Sequence, residues 1–464
     1  SGAVGHEEVE DAERVRYPGG RIFLFGLAQF AYLYFIVLVS MLPIGILYSL
    51  HDGRPSMEML FQLAATLPFS YLFGRWVLPL WTARFFGDGI AEGEYPLYGK
   101  EHLRVWVVQR SISLSPLPNL AGSHWMVGYL RALGATVGEG SHIGTAQIPL
   151  PTMVTIGDNV TVGYETHLRG FEIADGRLRI GRVTLENDAT VGANAVLAGP
   201  CTVEHHAVLR AQSLLAEGQT VPAREVWSGS PSAKIKTAND PALETMMECD
   251  KAPREWSYDL RRKFAFGIAF LEFLPMLAML PIVALVWLVM LAYEDGTALI
   301  VTLFTGPAFV LTACALILWF RRFALQKTPV GVHHLRSELG VEKWFGDKLL
   351  EASLGLTNQL YGTMYTAHWL RALGAHVGKD SEIATIANID PDLLTLGDGT
   401  FVADMASIGS ATYSNGHVAF RRTVVEDRAF VGNASFVPSG TRMGGDSLLG
   451  VLSTPPVRGV GKGT

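Results

Sequence analysis

A six-residue repeat between positions 162 and 215 constrains the fold of this chain more than any other feature. An apolar residue recurs at every sixth position, namely Leu185, Val191, Leu197, Val203, Leu209 and Leu215. A smaller residue stands two positions before each of them, namely Val183, Ala189, Ala195, Cys201, Ala207 and Ser213. A period of six fits neither an α-helix nor a simple strand, but it fits a parallel β-helix whose flat faces each bury one aliphatic residue. Several coils must stack, because a single coil cannot enclose a core.

The same pattern returns 240 residues further along the chain. The second apolar series is Val425, Val431, Val437, Met443, Leu449 and Pro455, and its small series is Thr423, Ala429, Ser435, Thr441, Ser447 and Ser453. The offset also holds outside the repeat, because the motif Leu-Arg-Ala-Leu-Gly-Ala begins at Leu130 and again at Leu370. The sequence therefore predicts two β-helix domains that arose by tandem duplication.

Four apolar runs account for the unusual composition of the chain. Only 17% of the residues are charged and the mean hydropathy is +0.26. The runs cover 22–50, 60–81, 264–293 and 298–320, and a membrane span needs roughly 20 apolar residues. A buried hairpin in a soluble core is the alternative, which uncharged runs of this length disfavour. We expect a linker at 1–20, a transmembrane hairpin at 21–82, a β-helix domain at 83–250, a second hairpin at 251–322 and a second β-helix domain at 323–464.

Basic residues predict how the hairpins are oriented. The open ends of the runs carry Arg14, Arg16, Arg21, Arg84, Arg254, Arg261, Arg262, Lys263, Arg321, Arg322 and Lys327, whereas the turns carry only Arg54. By the positive-inside rule, this multi-pass protein lies in the plasma (inner) membrane of a bacterial cell with both β-helices in the cytoplasm. Mixed segments around His102 and His334 are expected to form amphipathic helices at the membrane surface.

Glu272 lies inside the third apolar run, where a carboxylate is costly and suggests a function. Lys263 is only nine residues away. We therefore favour a position near the cytoplasmic end, where Glu272 snorkels or pairs with a cation.

Several functions are disfavoured by composition and spacing. The net charge is −6, and no basic stripe with interleaved aromatic residues indicates nucleic acid as a partner. Cys201, Cys249 and Cys314 have unrelated spacings, so neither a disulfide framework nor a thiolate metal site is expected. The histidines of the first domain also lack the convergent spacing of a zinc site, and the second domain keeps none of them. These histidines are His142, His167, His205 and His206.

The stretch from Glu165 to Gly192 resembles the hexapeptide acetyltransferases of the maltose, galactoside and xenobiotic type. In this stretch, Thr166 and His167 end one coil, a loop protrudes and the repeat resumes. The segment Val-Trp-Ser-Gly-Ser-Pro-Ser-Ala-Lys from Val226 is similar to the closing element of that family, with one extra residue after the proline. The resemblance implies a left-handed coil and a general base at His167, a residue type suited to proton removal near neutral pH. The alternative role of His167 is that of a solvated loop residue.

Further candidates accompany His167. In the first domain, possible orienting or substrate-binding residues are Glu165, Arg169, Asp175 and Trp227. In the second domain, the position of His167 is occupied by Ser407 and the loop retains His417. The second domain is therefore catalytically silent, uses His417, or forms a wall of a shared site. In the acetyltransferases, the site lies between subunits of a trimer. Our hypothesis is that the tandem domains imitate part of such an assembly. A homo-oligomer of the chain is a further expectation.

The whole arrangement resembles the C-terminal region of non-ribosomal peptide synthetases of the ε-poly-lysine synthetase type. The resemblance rests on hairpins that alternate with hexapeptide β-helices, on the Leu-Arg-Ala-Leu-Gly-Ala motif and on the Gly-Asp pair that follows it. It implies upstream adenylation and carrier domains, with a linker at 1–20. It also implies a second domain that stops before its closing coil, with a third hairpin and β-helix beyond it as one expectation. It also implies the carrier's phosphopantetheine arm as donor and an amino-acid polymer as product.

Two other functions remain open at this point. One is a CoA-dependent acetyltransferase that uses acetyl-CoA and a membrane sugar or lipid. The other is a non-catalytic scaffold or export path for the polymer. The preferred function is amide-bond formation from a carrier-bound aminoacyl thioester to an amine.

Overall fold

The computed structural model describes residues 16–51, 57–235, 241–249, 255–292, 300–456 and 459–464. Most of the predicted linker, both hairpin turns and the residues Arg14, Arg54 and Arg254 lie outside the described residues. The α-helices are α1 (Gly19–Leu50), α2 (Met57–Leu72), α3 (Leu78–Gly87), α4 (Lys100–Leu114), α5 (Leu117–Leu120), α6 (His124–Ala132), α7 (Pro241–Glu248), α8 (Tyr258–Ala292), α9 (Thr305–Phe323), α10 (Glu338–Leu356) and α11 (Tyr365–Leu373).

Three helices in the described part of the chain are long and apolar enough to cross a membrane. They are Gly19–Leu50, Tyr258–Val289 and Thr305–Phe323, which is consistent with membrane association. The remaining predicted span, 60–81, is helical but divided, because a π-helical segment (Phe73–Val77) separates α2 from α3. Of the two mixed segments, only the first is helical at its histidine. His102 lies in α4, whereas His334 ends a strand that precedes α10.

The first β-helix contains strands β2 to β16, and its three faces are parallel sheets. We define its first face as β2-β4-β9-β12-β15, its second as β3-β5-β10-β13-β16 and its third as β6-β11-β14. The strands are β2 (Thr136–Val137), β3 (His142–Ile143), β4 (Val154–Ile156), β5 (Thr161–Val162), β6 (His167–Arg169), β9 (Val183–Leu185), β10 (Thr190–Val191), β11 (Val196–Ala198), β12 (Cys201–Val203), β13 (Val208–Leu209), β14 (Leu214–Leu215), β15 (Thr220–Val221) and β16 (Val226–Ser228). All six members of the apolar series are buried. The predicted parallel β-helix is therefore confirmed.

The second β-helix has the corresponding three faces. Its first face is β19-β22-β27-β30, its second is β20-β23-β28-β31 and its third is β21-β24-β29. The strands are β19 (His376–Val377), β20 (Glu382–Ile383), β21 (Ile386–Ala387), β22 (Leu394–Leu396), β23 (Phe401–Val402), β24 (Ala406–Ser410), β27 (Thr423–Val425), β28 (Phe430–Val431), β29 (Phe436–Pro438), β30 (Arg442–Met443) and β31 (Leu448–Leu449). The buried apolar series lines its interior as in the first β-helix.

Each β-helix carries one antiparallel hairpin at the predicted loop. The first hairpin, β7 (Phe171–Ala174) and β8 (Arg177–Ile180), pairs with β1 (Gly93–Pro96). The second, β25 (Thr412–Ser414) and β26 (His417–Phe420), pairs with β18 (Gly331–His334). A short strand, β17 (Ala233–Lys234), closes the second face of the first β-helix. The predicted loops are therefore ordered hairpins anchored by the segments that enter each domain.

The two β-helices contact one another, and α10 packs where they meet. The indole nitrogen of Trp344 in α10 donates to the carbonyl oxygen of Ala121 at 3.1 Å. Arg336 donates from Nη2 to the carbonyl oxygen of Gly140 at 2.8 Å. Both bonds join the second half of the chain to the first, so the tandem domains form one packed body around a shared boundary.

Candidate active site between the two β-helices

A cleft of about 440 Å³ lies between the two β-helices. Its walls on the first β-helix are the corners that connect the second face to the third, at Gly163, Gly192 and Ala211. Its walls on the second β-helix come from β25, from β29 and from the turn around Pro455. Small-molecule sites in proteins have volumes of roughly 300 to 1,000 Å³ and lie in clefts of this kind. The cleft is therefore our candidate active site.

The second hairpin holds one side of this cleft in place. Ser414 at the end of β25 lies 3.5 Å from Thr190, measured between the two hydroxyl oxygens. The ring of Tyr413 stacks on His142 with a centroid separation of 4.9 Å and an interplanar angle of 24°. On the opposite side, Gln212 donates to the carbonyl oxygen of Ala434 at 2.8 Å. The hairpin of the second domain thus reaches across the second face of the first.

A smaller cavity of about 50 Å³ opens from the inner end of the cleft. The two spaces share Tyr164, Asn388 and Tyr413 as lining residues. The remaining wall of the small cavity includes charged residues of α10, which are Asp347, Lys348 and Glu351. The cleft therefore leads from an open groove to a buried polar end.

Ion pairs connect these buried charges. The ammonium of Lys343 lies 2.6 Å from Asp347 and 2.7 Å from Asp390. Lys348 pairs with Glu351 at 2.6 Å. Burial by itself lowers the pKa of Lys343, but the two carboxylates raise it above its usual value. Lys343 is therefore a fixed cation that holds α10 to the second β-helix.

The carboxyl groups near the small cavity are harder to ionise than usual. Burial raises the pKa of Asp347 to about 6, against the opposing effect of Lys343. Burial and the nearby carboxylate of Glu351 also raise the pKa of Glu165, whose side chain accepts a hydrogen bond from Gln147 at 3.0 Å. Burial thus raises the pKa of both Asp347 and Glu165 above that of an exposed carboxyl group.

His167 lies at the start of β6 on the third face of the first β-helix. Its backbone nitrogen donates to the carbonyl oxygen of Ala195 at 2.8 Å, and its side chain is partly buried. Burial and the charge of Arg169 lower its pKa, which keeps the ring neutral and able to accept a proton at pH 7. Tyr164, three residues earlier, lines the cleft, whereas His167 is outside the described lining.

The other candidates of the first domain occupy separate places. Glu165 adopts a left-handed backbone conformation (φ 49°) at the corner before β6. Arg169 is exposed at the end of that strand. Asp175 lies in the turn of the first hairpin and pairs with Arg179 at 3.1 Å. Trp227 donates from its indole nitrogen to Glu225 at 2.9 Å, next to the cleft-lining Ser228. Of these four candidates, Glu165 and Trp227 are the chain neighbours of residues that line the described cleft, namely Tyr164 and Ser228.

The candidates of the second domain are both buried. Ser407 is 3% exposed on the third face of the second β-helix. His417 in β26 is 4% exposed, and its Nδ1 atom lies 2.9 Å from the carbonyl oxygen of Asn415. Its ring contacts His334 at a centroid distance of 4.6 Å, and burial lowers its pKa. Neither residue is part of the described cleft lining.

Corresponding outer faces of the two β-helices differ in exposure. Ser407 and Phe436 on the third face of the second β-helix are 3% and 7% exposed. Their counterparts 240 positions earlier, His167 and Val196, are only partly buried. The contact between the domains therefore covers the third face of the second β-helix and not that of the first.

Sequence reasoning missed the residues that shape the inner end of the cleft. Tyr164 stands two positions before the Thr166–His167 motif, so its place at a coil corner gave a usable signal. Tyr413, Asn388 and the charged residues of α10 gave none, because their proximity depends on how the two domains pack. Within the described ranges, no group of three or more His, Cys, Asp or Glu side chains has an arrangement that could hold a metal ion.

Comparison with known proteins gives one relative that matches nearly the whole chain. Delta-poly-L-ornithine synthetase of Acinetobacter baumannii is 29% identical over 455 residues, which is 94% of this chain and 34% of that protein. The predicted resemblance to a poly-amino-acid synthetase is thereby confirmed. The chain spans about a third of the length of this relative. No family model matches the chain.

Two further matches cover shorter parts of the chain. The mitochondrial gamma carbonic anhydrase 2 of Arabidopsis thaliana is 37% identical over 91 residues, 20% of this chain and 28% of that protein. A hexapeptide-repeat acetyltransferase from Vibrio cholerae, solved with acetyl coenzyme A, is 17% identical with a TM-score of 0.22 and covers 28% of this chain and 88% of its own. Because that score is far below 0.5, the β-helix is identified here from its strand pairing alone.

Proposed function

We propose that this chain forms amide bonds in a membrane-bound poly-amino-acid synthetase. In this reaction, the amine of an acceptor attacks a carrier-bound aminoacyl thioester. The new carbon–nitrogen bond replaces the carbon–sulfur bond, the carrier thiol leaves, and the amine loses a proton. The cleft between the β-helices is the observation that carries the proposal. Similarity to delta-poly-L-ornithine synthetase over 94% of the chain supports it.

The cleft suits a narrow, flexible thioester arm. Coil corners supply backbone N–H and C=O groups along one wall, and Phe436 and Pro438 supply apolar surface on the other. Such a mixture is typical of sites that hold an extended ligand by a few polar contacts. Under this proposal, the phosphopantetheine arm enters along the corners, and the acceptor approaches from the small cavity.

His167 is the proposed general base of the first domain. A partly buried imidazole with a lowered pKa is neutral at physiological pH and can take the proton that the attacking amine releases. Glu165, Arg169, Asp175 and Trp227 are proposed to orient substrates, and Ser407 and His417 remain low-ranking candidates of the second domain. Because His167 is outside the described cleft lining, the cleft and the histidine are tested separately below.

The proposal also includes the handedness of the coils, the duplication and the membrane topology. We take the two units to be duplicates with left-handed coils, each preceded by a transmembrane hairpin. Corresponding strands recur 240 positions apart, as β4 and β22 do at Val154 and Leu394. The proposed topology is multi-pass, with both β-helices in the cytoplasm of a bacterial cell and with upstream adenylation and carrier domains as partners. A homo-oligomer that covers the exposed third face is compatible with it.

Product formation by two variants of the full-length synthetase tests the proposal. The first variant is His167→Ala, which removes the base. The second is Ala193→Trp, which places an indole at a coil corner that lines the cleft. Both should lose polymer formation at least about 100-fold, because general-base catalysis alone contributes 10²–10⁴-fold. Carrier loading with the amino acid should stay normal in both.

Ala223→Trp is the matched control, since Ala223 also occupies a coil corner but lies outside the described cleft lining. It should form polymer at the wild-type rate. If only Ala193→Trp is inactive, bond formation occurs in the cleft without His167. If both variants form polymer normally, the chain is a scaffold or export path. Activity with acetyl-CoA in place of the loaded carrier would favour the acetyltransferase alternative.

A further inference from the structure

A second and larger cavity, of about 750 Å³, lies beside the first coil of the first β-helix. Its walls combine Trp76 from the π-helical segment with the start of α6 and the residues that precede α8. Arg261, also in its wall, lies near the start of the span Tyr258–Val289. The cavity therefore lies where the ends of both apolar hairpins meet the β-helix.

Two buried hydrogen-bond donors in this wall have no partner among the described residues. One is the hydroxyl of Ser123, a residue that is only 6% exposed. The other is the indole nitrogen of Trp76. A buried donor without an acceptor costs roughly 1 to 3 kcal/mol, so such groups usually bind something. An indole N–H can only donate, which points to a ligand that carries acceptor oxygens.

The start of α6 adds positive potential to the same wall. Helix α6 begins at His124, directly after Ser123, and Ser123 makes no capping hydrogen bond with its side chain. Gly122, Ser123, His124 and Trp125 all line the cavity. The unpaired N–H groups and the dipole at a helix N-terminus favour an anion.

Two arginines converge on this wall around Trp256. The Nε atom of Arg261 donates to the carbonyl oxygen of Trp256 at 3.0 Å. The guanidinium of Arg336 lies 5.7 Å from the centroid of the Trp256 ring. Both arginines, together with burial, lower the pKa of His124, and Glu139 opposes them. Both arginine side chains therefore lie beside Trp256 in this wall.

The negative groups in the wall are fewer. Glu139 and Glu255 line the cavity together with Arg131, Arg261 and Arg336. Glu139 is paired with Arg131 at 2.7 Å. The described lining therefore carries one more cation than anion.

We infer that this cavity, through Ser123, Trp76, Arg261 and Arg336, binds the phosphate of an anionic membrane lipid headgroup. Arginine is suited to phosphate because its planar fork donates two parallel hydrogen bonds. Tryptophan and arginine at the end of an apolar span are typical of the headgroup region of a membrane. Trp125, which is 45% exposed, provides an amphipathic ring beside the entrance. The inference is independent of the proposed chemistry in the cleft.

Native mass spectrometry of the purified 464-residue chain in detergent tests this inference. The probes are phosphatidylglycerol and, for comparison, zwitterionic phosphatidylcholine. We expect the wild type to retain phosphatidylglycerol preferentially. The double variant Arg261→Gln/Arg336→Gln should retain at least about tenfold less, because charge-assisted hydrogen bonds to the phosphate are lost. Ser123→Ala, which removes one hydroxyl, should retain severalfold less.

The control is Arg428→Gln/Arg442→Gln, which removes two exposed arginines of the second β-helix that pair with Asp446 and Glu426. It should retain the lipid as the wild type does. Arg261→Lys/Arg336→Lys, which keeps the charges, should recover part of the binding, and melting temperatures verify that every variant is folded. Equal retention of both lipids, or an unchanged double variant, would overturn the inference. Displacement of the lipid by inorganic phosphate at low concentration would instead assign the cavity to a soluble anion.

Discussion

At the scale of single residues, the contact between the β-helices depends on an imidazole that must stay neutral. His142 projects from the second face of the first β-helix and stacks on Tyr413 of the second hairpin. Burial and the nearby charge of Arg336 lower the pKa of His142 to about 4. An unfolded chain binds this proton near pH 6.5. Acidification from neutral pH towards that folded value therefore favours the separated or unfolded state.

We predict that His142 makes the fold less stable as the pH falls from about 7 to about 5. The expected loss is about 1 to 2 kcal/mol, because the unfolded state binds a proton in this range and the folded state does not. Melting temperatures of the wild type and of His142→Gln in detergent measure it. Over this pH range, the melting temperature of the wild type should fall by several degrees more than that of the variant.

Asp347 acts in the opposite direction, since its raised pKa of about 6 adds stability at low pH that is lost as the pH rises. Asp347 is present in both the wild type and His142→Gln, so the difference between their melting temperatures reports the effect of His142. His376→Gln, at an exposed position of the second β-helix, should keep the wild-type pH dependence. A variant His142→Gln with the same pH dependence as the wild type would contradict the prediction.

At the scale of secondary-structure elements, the membrane-type helices are joined by a buried ion pair. Arg75 lies in the π-helical segment between α2 and α3, and its Nε atom lies 2.5 Å from Glu272 of α8. Glu272 also accepts hydrogen bonds from Tyr71 at 3.2 Å and Asn119 at 2.8 Å. The expectation that Glu272 pairs with a cation is met, although the partner comes from the other hairpin. A π-helical turn widens a helix locally and often marks such a specialised position.

We predict that Glu272→Ala lowers the stability of the helix assembly by about 3 kcal/mol, because removing one partner leaves the other charge buried. Arg75→Leu/Glu272→Leu should be less destabilised than the single variant, since no unpaired charge remains. Thermal unfolding in detergent compares the three proteins. Glu58→Ala is the control, because Glu58 is exposed on α2. A double variant less stable than Glu272→Ala would show that the pair itself supplies the stability.

At the scale of the whole molecule, the tandem domains meet through unlike surfaces. The first β-helix contributes its second face and the corners next to it, and the second contributes its hairpin and third face. A contact of this head-to-tail kind leaves the third face of the first β-helix, with His167, outside the interface. Positions that correspond in the two β-helices, such as His167 and Ser407, therefore have different surroundings.

A disulfide across the boundary is expected to form without strain on either domain. Thr190→Cys/Ser414→Cys places thiols where the two hydroxyl oxygens are 3.5 Å apart, in a background with the three native cysteines replaced. After proteolysis between the domains, non-reducing electrophoresis should show linked fragments that reductant separates. Thr202→Cys/Ser414→Cys is the control, because Thr202 lies on the first face, and it should give no link. Equal linkage in both pairs would indicate that the domains move apart.

The sequence by itself determined the repeating units of this protein. The positions of the aliphatic residues every six residues require stacked coils, since no other backbone path buries all of them, and the apolar runs require long helices. The match to a poly-amino-acid synthetase followed from the same motifs. Only the tertiary structure decided where the cleft lies, that Arg75 pairs with Glu272, and that α10 supplies buried charges to the cleft. These contacts join residues far apart in the chain, such as Thr190 and Ser414, which are 224 positions apart. Their existence depends on how domains pack, which local periodicity does not encode.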